Sequence, residues 1–197
     1  MRKPLPDQSV DQIFRMARTH KHWRALAVTE QLLREAYALA SLGPTSANCC
    51  PARFVFVVSR QAKEALRPAL RPANVEKTMS APVTVIIGHD LRFYEHLPRL
   101  YPVNPNVRSW YEGKPALIEE TAFRNGTLQG AYLMIAARAL GLDCGPMSGF
   151  DAAMVEALYW PEGNVKANFI CNIGYGDDSA LHPRAPRFSF EEVCRIV

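Results

Sequence analysis

The chain has 197 residues, 48% of them hydrophobic, and a formal net charge of +4. That length supports one globular domain over 1–197 with a sizeable core. The mild charge, with no block of like charges, argues against a nucleic-acid arm, and no apolar run reaches bilayer-spanning length.

Arg2 and Lys3 are basic, but no apolar stretch follows them. A signal peptide is therefore not expected, and the expected location is cytoplasmic. Ser9–Gln12 reads as a capping box, with Ile13, Phe14, Met16 and Ala17 as the apolar face of a first helix. A polar turn, Arg18-Thr19-His20-Lys21-His22-Trp23, ends it. Thr29 caps a second helix whose inner face is Leu32, Leu33, Ala36, Tyr37 and Ala40.

The stretch 43–54 stands between that helix and a strand. Gly43-Pro44 stops the helix, and Thr45, Ser46 and Asn48 place three short hydrogen-bonding side chains within four residues. Taken alone it reads first as a turn-rich connection, and second as a polar loop at the mouth of a pocket. Phe54–Val58 is apolar at every position and predicts a strand covered on both faces. Residues 60–70 predict a helix broken by Pro72, and 74–79 a short helical turn before a second buried strand at 82–87.

From His89 to Pro115 the chain is irregular and rich in aromatics, as in a lid, an interface or a satellite core. Residues 116–140 predict one long helix, interrupted in its apolar pattern by Arg138 and ended by Gly141. Asp151 caps a short helix to Tyr159, 168–173 reads as a strand, and Ser189–Glu192 is a capping box opening the last helix.

Several chemistries fail on context. Gly174-Tyr175-Gly176 lacks the third glycine and the following helix of a dinucleotide fold. Gly145–Gly149 has the wrong spacing for a nucleophile elbow. The five histidines and five cysteines show no metal-ligand spacing, so no metal is expected, and the cysteines read as reduced, mostly buried thiols. What remains is a set of short polar clusters at element ends, at 18–22, 44–48, 74–77, 146–149 and 184–187. Arginines near both ends of the chain suit a ligand with a phosphate tail.

Those five clusters, in that order, resemble the nitroreductase-like FMN flavoprotein superfamily. The matching motifs are Arg18-Thr19-His20, Pro44-Thr45-Ser46-Ala47-Asn48, the pair Asn74 and Lys77, Gly141-Leu142 through Pro146-Met147-Ser148-Gly149-Phe150, and the pair Arg184 and Arg187. Within it, the runs 43–49, 120–125, 145–151 and 172–177 look like the RutE-type malonic semialdehyde reductases of pyrimidine degradation. The resemblance implies an α+β, three-layer fold with a central mixed sheet flanked by helices. It also implies a domain-swapped-style homodimer with FMN at the subunit interface.

By the same resemblance, Arg18, Thr19, His20, Arg184 and Arg187 would hold the FMN phosphate, with Lys21 or His22 as a further candidate. Pro44, Thr45, Ser46 and Asn48 would reach the flavin from the partner subunit. Asn74 and Lys77 would meet its pyrimidine edge, where a cation near N1 tunes the potential. Pro146, Met147, Ser148 and Gly149 would pass near N5, leaving catalysis to the flavin rather than to a side chain. An acidic residue is common in the family where Ser148 stands.

The implied activity is an NADPH- or NADH-dependent oxidoreductase, reducing malonic semialdehyde to 3-hydroxypropionate. The alternatives are a general nitro- or quinone reductase, and a non-catalytic flavin-binding redox module. Phe93, Trp110 and Tyr111 are the expected walls of the substrate pocket.

Overall fold

The computed structural model describes residues 3–197; Met1 and Arg2, part of the basic start noted above, lie outside the described residues. Helix α1 (Asp7–Val10) opens after Pro6 and runs into a single π turn, Asp11–Arg15. The expected capping box at Ser9 is therefore not formed, because Ser9 lies inside the helix. The wider π turn rotates the side chains that follow it. Phe14 and Met16 end up 56% and 72% exposed, so the expected apolar face does not enter the core.

Helix α2 (Glu30–Ala40) begins as expected, with Thr29 Oγ1 accepting the Leu32 N–H at 3.2 Å. It buries Leu33, Ala36 and Ala40. Strand β1 (Ala52–Val57) follows, then α3 (Arg60–Leu66) and α4 (Pro72–Ser80). Pro72 starts α4 rather than breaking a helix, since the first helical position needs no N–H. Strand β2 (Val83–Asp90) is buried throughout.

The segment expected to be irregular consists of short turns around α5 (Leu97–Leu100). Phe93, Leu97, Val107 and Tyr111 are buried there with Cys49 and Ala122 as a satellite core. Helix α6 (Pro115–Ala139) spans the predicted 25 residues. Strand β3 (Asp143–Met147), α7 (Ala152–Tyr159), β4 (Val165–Gly174) and a last turn, α8 (Phe190–Val193), complete the chain. Asp151 caps α7 through the Met154 N–H, and Glu192 accepts the Ser189 N–H at α8.

The sheet has the order β1-β2-β4-β3, and every pair of its strands runs antiparallel. This corrects the expected mixed sheet. Two helices lie between β1 and β2, in place of the single crossover helix that would return the chain parallel. The parallel contact seen is an isolated bridge between Thr19 and Cys144.

Alternation along the strands makes two cores. Val83, Val85, Ile87, Cys171 and Ile173 face α2 and α6, whereas Ile86 and Ile170 face α3 and α7 with Leu66 and Val155. The three expected layers result. Helix α6 lies so close to the sheet that a Cβ on Gly130 would meet the Phe169 ring at 2.6 Å. Strand β1 is an edge strand covered on both faces, Phe54 and Phe56 against one core and Val55 and Val57 against the other, though buried fully only at Ala52 and Val57. Among the described residues no helix is long and apolar enough to cross a membrane.

Candidate functional site

The two ends of the chain meet. Arg184 donates to the carbonyls of Arg15 and Ala17 at 2.7 and 3.0 Å, and Arg18 donates back to His182 O. The polar turn 18–22 and the C-terminal segment 180–187 thereby form the walls of a cavity of about 500 Å³. Arg18, Lys21, Arg138, Arg184 and Arg187 line it, against one carboxylate, Asp177. Thr19 and His22 line it too. Fixed guanidinium forks in excess over carboxylates are a donor set for a phosphate.

Arg138 was visible in the sequence only as an interruption of an apolar helix. Here its Nη1 bonds Ile13 O at 3.4 Å, while its buried Nε has no partner. A cation inside an apolar helical pattern was the available signal.

His20 does not line this cavity. It is buried at 3% exposure, with Nε2 3.0 Å from Asp178 Oδ1 and its ring against Gly176. A Cβ on Gly176 would lie 2.1 Å from that ring, so the glycine is what lets the 18–22 turn close onto the end of β4. The phosphate role expected for His20 is thus replaced by a packing role.

A second group of polar residues adjoins the first. Burial, and then the neighbouring Lys21 ammonium, lower the pKa of Lys77. The two lysines therefore connect the cationic cavity to α4. The Lys77 carbonyl accepts from Trp23 Nε1 at 3.1 Å and from Asn172 Nδ2 at 3.0 Å, and Asn172 in turn accepts from Thr84 Oγ1 at 2.8 Å. Lys63, buried under the same helix, donates to the carbonyls of Thr78 (2.8 Å) and Ala81. These groups satisfy carbonyls that the end of α4 leaves free.

Asn74 donates from Nδ2 to Gly149 O at 2.7 Å, which pins the Pro146–Gly149 strand end beside α4. Thr78 Oγ1 points to Met147 Sδ at 3.6 Å. Pro146 sits on the outer strand β3, where its missing N–H breaks no ladder. Ser148 is exposed.

The polar loop 44–48 lies elsewhere on the chain. Thr45 Oγ1 accepts the Cys50 N–H at 3.2 Å, and Asn48 Nδ2 donates to Leu100 O at 2.8 Å. Pro44, Ser46 and Asn48 are exposed. Ala47, Asn48 and Cys50 all have left-handed φ, at 48°, 49° and 40°. Each such residue costs on the order of 1–3 kcal/mol, and such strain gathers at ligand sites. Three in four positions mark this loop as built for more than a turn.

Phe93 is fully buried and stacks edge-on to Tyr111 at 4.9 Å. Both belong to the satellite core, which corrects their expected place on a pocket wall. Trp110, 42% exposed, stays at the surface. Among the described residues no group of three potential ligands stands in position to hold a metal.

The sequence profile of the nitroreductase family matches residues 14–175. The chain belongs to the nitroreductase family. A Polynucleobacter asymbioticus protein, provisionally named an NADH dehydrogenase/NAD(P)H nitroreductase, is 56% identical over 197 residues and covered end to end. The Ralstonia pickettii protein HadB, with the same provisional name, is 53% identical over 190 residues, covering 95% of this chain and 97% of its own.

A solved structure from Exiguobacterium sibiricum, described provisionally as a nitroreductase in complex with FMN, superposes with a TM-score of 0.87 at 17% identity. It covers 100% of this chain and 99% of its own. At that identity it is evidence for the nitroreductase fold alone. The profile match takes in the first half of the cationic cavity, α4 and the 146–149 strand end. It stops short of Arg184 and Arg187, which enter through the contacts described above.

Proposed function

We propose that the protein is an FMN-dependent NAD(P)H oxidoreductase working as a homodimer. The observation that carries this reading is the cavity in which arginines from both ends of the chain converge. The donor set fits a phosphate dianion, and the unpartnered Arg138 Nε adds a free donor. Arg18, Lys21, Arg138, Arg184 and Arg187 would hold the phosphate, Asn74 and Lys77 the pyrimidine edge, and the backbone at Ser148 and Gly149 the N5 region.

Bound FMN would supply hydride chemistry between NAD(P)H and an oxidised substrate. The protein's part is to bind, orient and tune. Trp23 and Asn172 fix the backbone of Lys77, and because burial and then Lys21 lower its pKa, an anionic neighbour would restore the charged form. The Asn74–Gly149 bond holds the strand end at a set distance from α4.

The dimer completes the site in this reading. Loop 44–48, which no hydrogen bond joins to the cavity residues among those described, would meet the partner's cofactor. Exposed apolar side chains support association. Leu117, Phe123 and Leu128 lie on α6, and Phe188, Phe190 and Ile196 on the C-terminal segment.

For the substrate we infer malonic semialdehyde, reduced to 3-hydroxypropionate as NAD(P)H and a proton are consumed. The motif runs at 43–49, 120–125, 145–151 and 172–177 support it. A second reading, reduction of nitro or quinone compounds at the same site, is favoured by the provisional names of the relatives. Steady-state turnover with NADPH and with NADH against malonic semialdehyde, a quinone and a nitroaromatic decides between them. Turnover of the aldehyde with a kcat/KM above the others supports the first; turnover of the quinone or nitro compound alone replaces it with the second. Flavin that NAD(P)H fails to reduce would leave only a non-catalytic flavin module.

A further inference from the structure

We propose that Asn125 and Gln129, two buried amides one turn apart on α6, are positioning residues that lock the strained 44–50 loop in its ligand-binding shape. The inference rests on the reading above that this loop meets the cofactor of the partner subunit.

Helix α6 presents Asn125 to the loop and Gln129 to the start of β1 that follows it. Asn125, 2% exposed, accepts the Ser46 N–H on Oδ1 at 2.8 Å, and its Nδ2 donates to Thr121 O at 2.8 Å. With both ends of the amide engaged, its orientation is fixed. Gln129, 7% exposed, accepts the Ala52 N–H on Oε1 at 2.8 Å. The two bonds close on the loop from either end. Between them lie Ala47, Asn48 and Cys50, the left-handed residues.

A buried polar side chain costs stability unless paired, and an apolar helix face at these two positions would pack more simply. The helix commits both amides to backbone N–H groups, Asn125 inside the loop and Gln129 at Ala52, where β1 begins after it. That loop exposes Ser46 and Asn48 to whatever covers it. The same helix carries the exposed Leu117, Phe123 and Leu128 assigned above to the subunit interface. Docking of the partner and the shape of the loop therefore share one rigid element.

The test compares wild type, Asn125→Leu, Gln129→Met and the double variant Asn125→Leu/Ala47→Gly. Hydrogen exchange of amides 46–50 is measured without cofactor, and the FMN dissociation constant by fluorescence quenching. Asn125→Leu is expected to speed loop exchange and to weaken FMN about tenfold, the worth of one buried hydrogen bond. Gln129→Met should act in the same direction, and it keeps the test open if Asn125→Leu fails to fold.

Glycine adopts the left-handed conformation without strain, so Ala47→Gly should recover about threefold of the lost affinity. A merely structural amide would lower the melting temperature and leave both readouts at the wild-type value, which would overturn the proposal. Wild-type protein that binds no FMN would instead refute the cofactor reading, while the exchange data would still judge the clamp.

Discussion

Replacing Arg138 by methionine tests the phosphate cavity at the residue with an unsatisfied donor. Methionine matches arginine in helix propensity and roughly in length, so α6 should keep its course. What is lost is one cation out of five lining the cavity, a buried Nε without a partner, and a long 3.4 Å bond to Ile13 O. The internal bond contributes little at that length. A charge-assisted hydrogen bond to a phosphate is worth about 1.5–3 kcal/mol, which corresponds to a rise of about 10- to 140-fold in the FMN dissociation constant.

Titration of the apo-protein with FMN, and in parallel with riboflavin, isolates the phosphate. Riboflavin carries the same ring without the phosphate, so its affinity should not change between wild type and R138M. The FMN affinity of the wild type should also fall with added salt more steeply than that of the variant. Equal loss for FMN and riboflavin, or no loss for either, would refute the assignment.

Three further outcomes follow from the packing around the site. Gly176→Ala should destabilise the fold by more than about 2 kcal/mol, because its Cβ would lie 2.1 Å from the buried His20 ring; denaturant unfolding measures it. Asn172→Leu should cost about 2–3 kcal/mol, since it leaves the Thr84 hydroxyl and a donor to the Lys77 carbonyl unmade. Its loss should also weaken FMN, by releasing α4.

Burial lowers the Lys63 ammonium to about 8, against 10.5 for the exposed group. Between those values the unfolded chain holds a proton that the folded chain has shed, so stability from this residue rises with pH. Lys63→Met lacks that burial penalty, so relative to wild type it should be most favoured at pH 7 and should lose ground steadily from pH 8 to 10. A variant that instead gains on wild type over that range would contradict the burial argument.

Periodicity and capping made most of the helices legible in the sequence. Thr29, Asp151 and Ser189 stand where their helices begin, and Gly141, with φ of 80°, ends α6. Strand β3 was not legible, because Asp143, Gly145 and Pro146 are poor strand formers and are tolerated only at the sheet's edge. The first helix misled because Ile13, Phe14 and Met16 match an apolar stripe that the π turn then disperses.

At the site, the clusters of short polar residues were visible, but their sorting was not. His20 and Arg18 look alike as phosphate donors in the sequence. Only the contact with Gly176, 156 positions later, turns the histidine inward. Likewise Phe93 and Trp110 are both aromatics of one irregular segment, and only the satellite core separates the buried one from the exposed one. Asn125 and Asn172 stood in the runs 120–125 and 172–177 without a role of their own, and Gln129 stood in none, because each acts through a backbone group far along the chain.

In this reading the convergent arginines bind a redox flavin that the protein uses with NAD(P)H. This is tested most directly by the absorption spectrum of the protein as purified, or after adding FMN, before and after anaerobic NADPH or NADH. The expected result is a flavin spectrum with equimolar FMN per chain, bleached by the nicotinamide. A colourless protein that takes up no added FMN would contradict that reading.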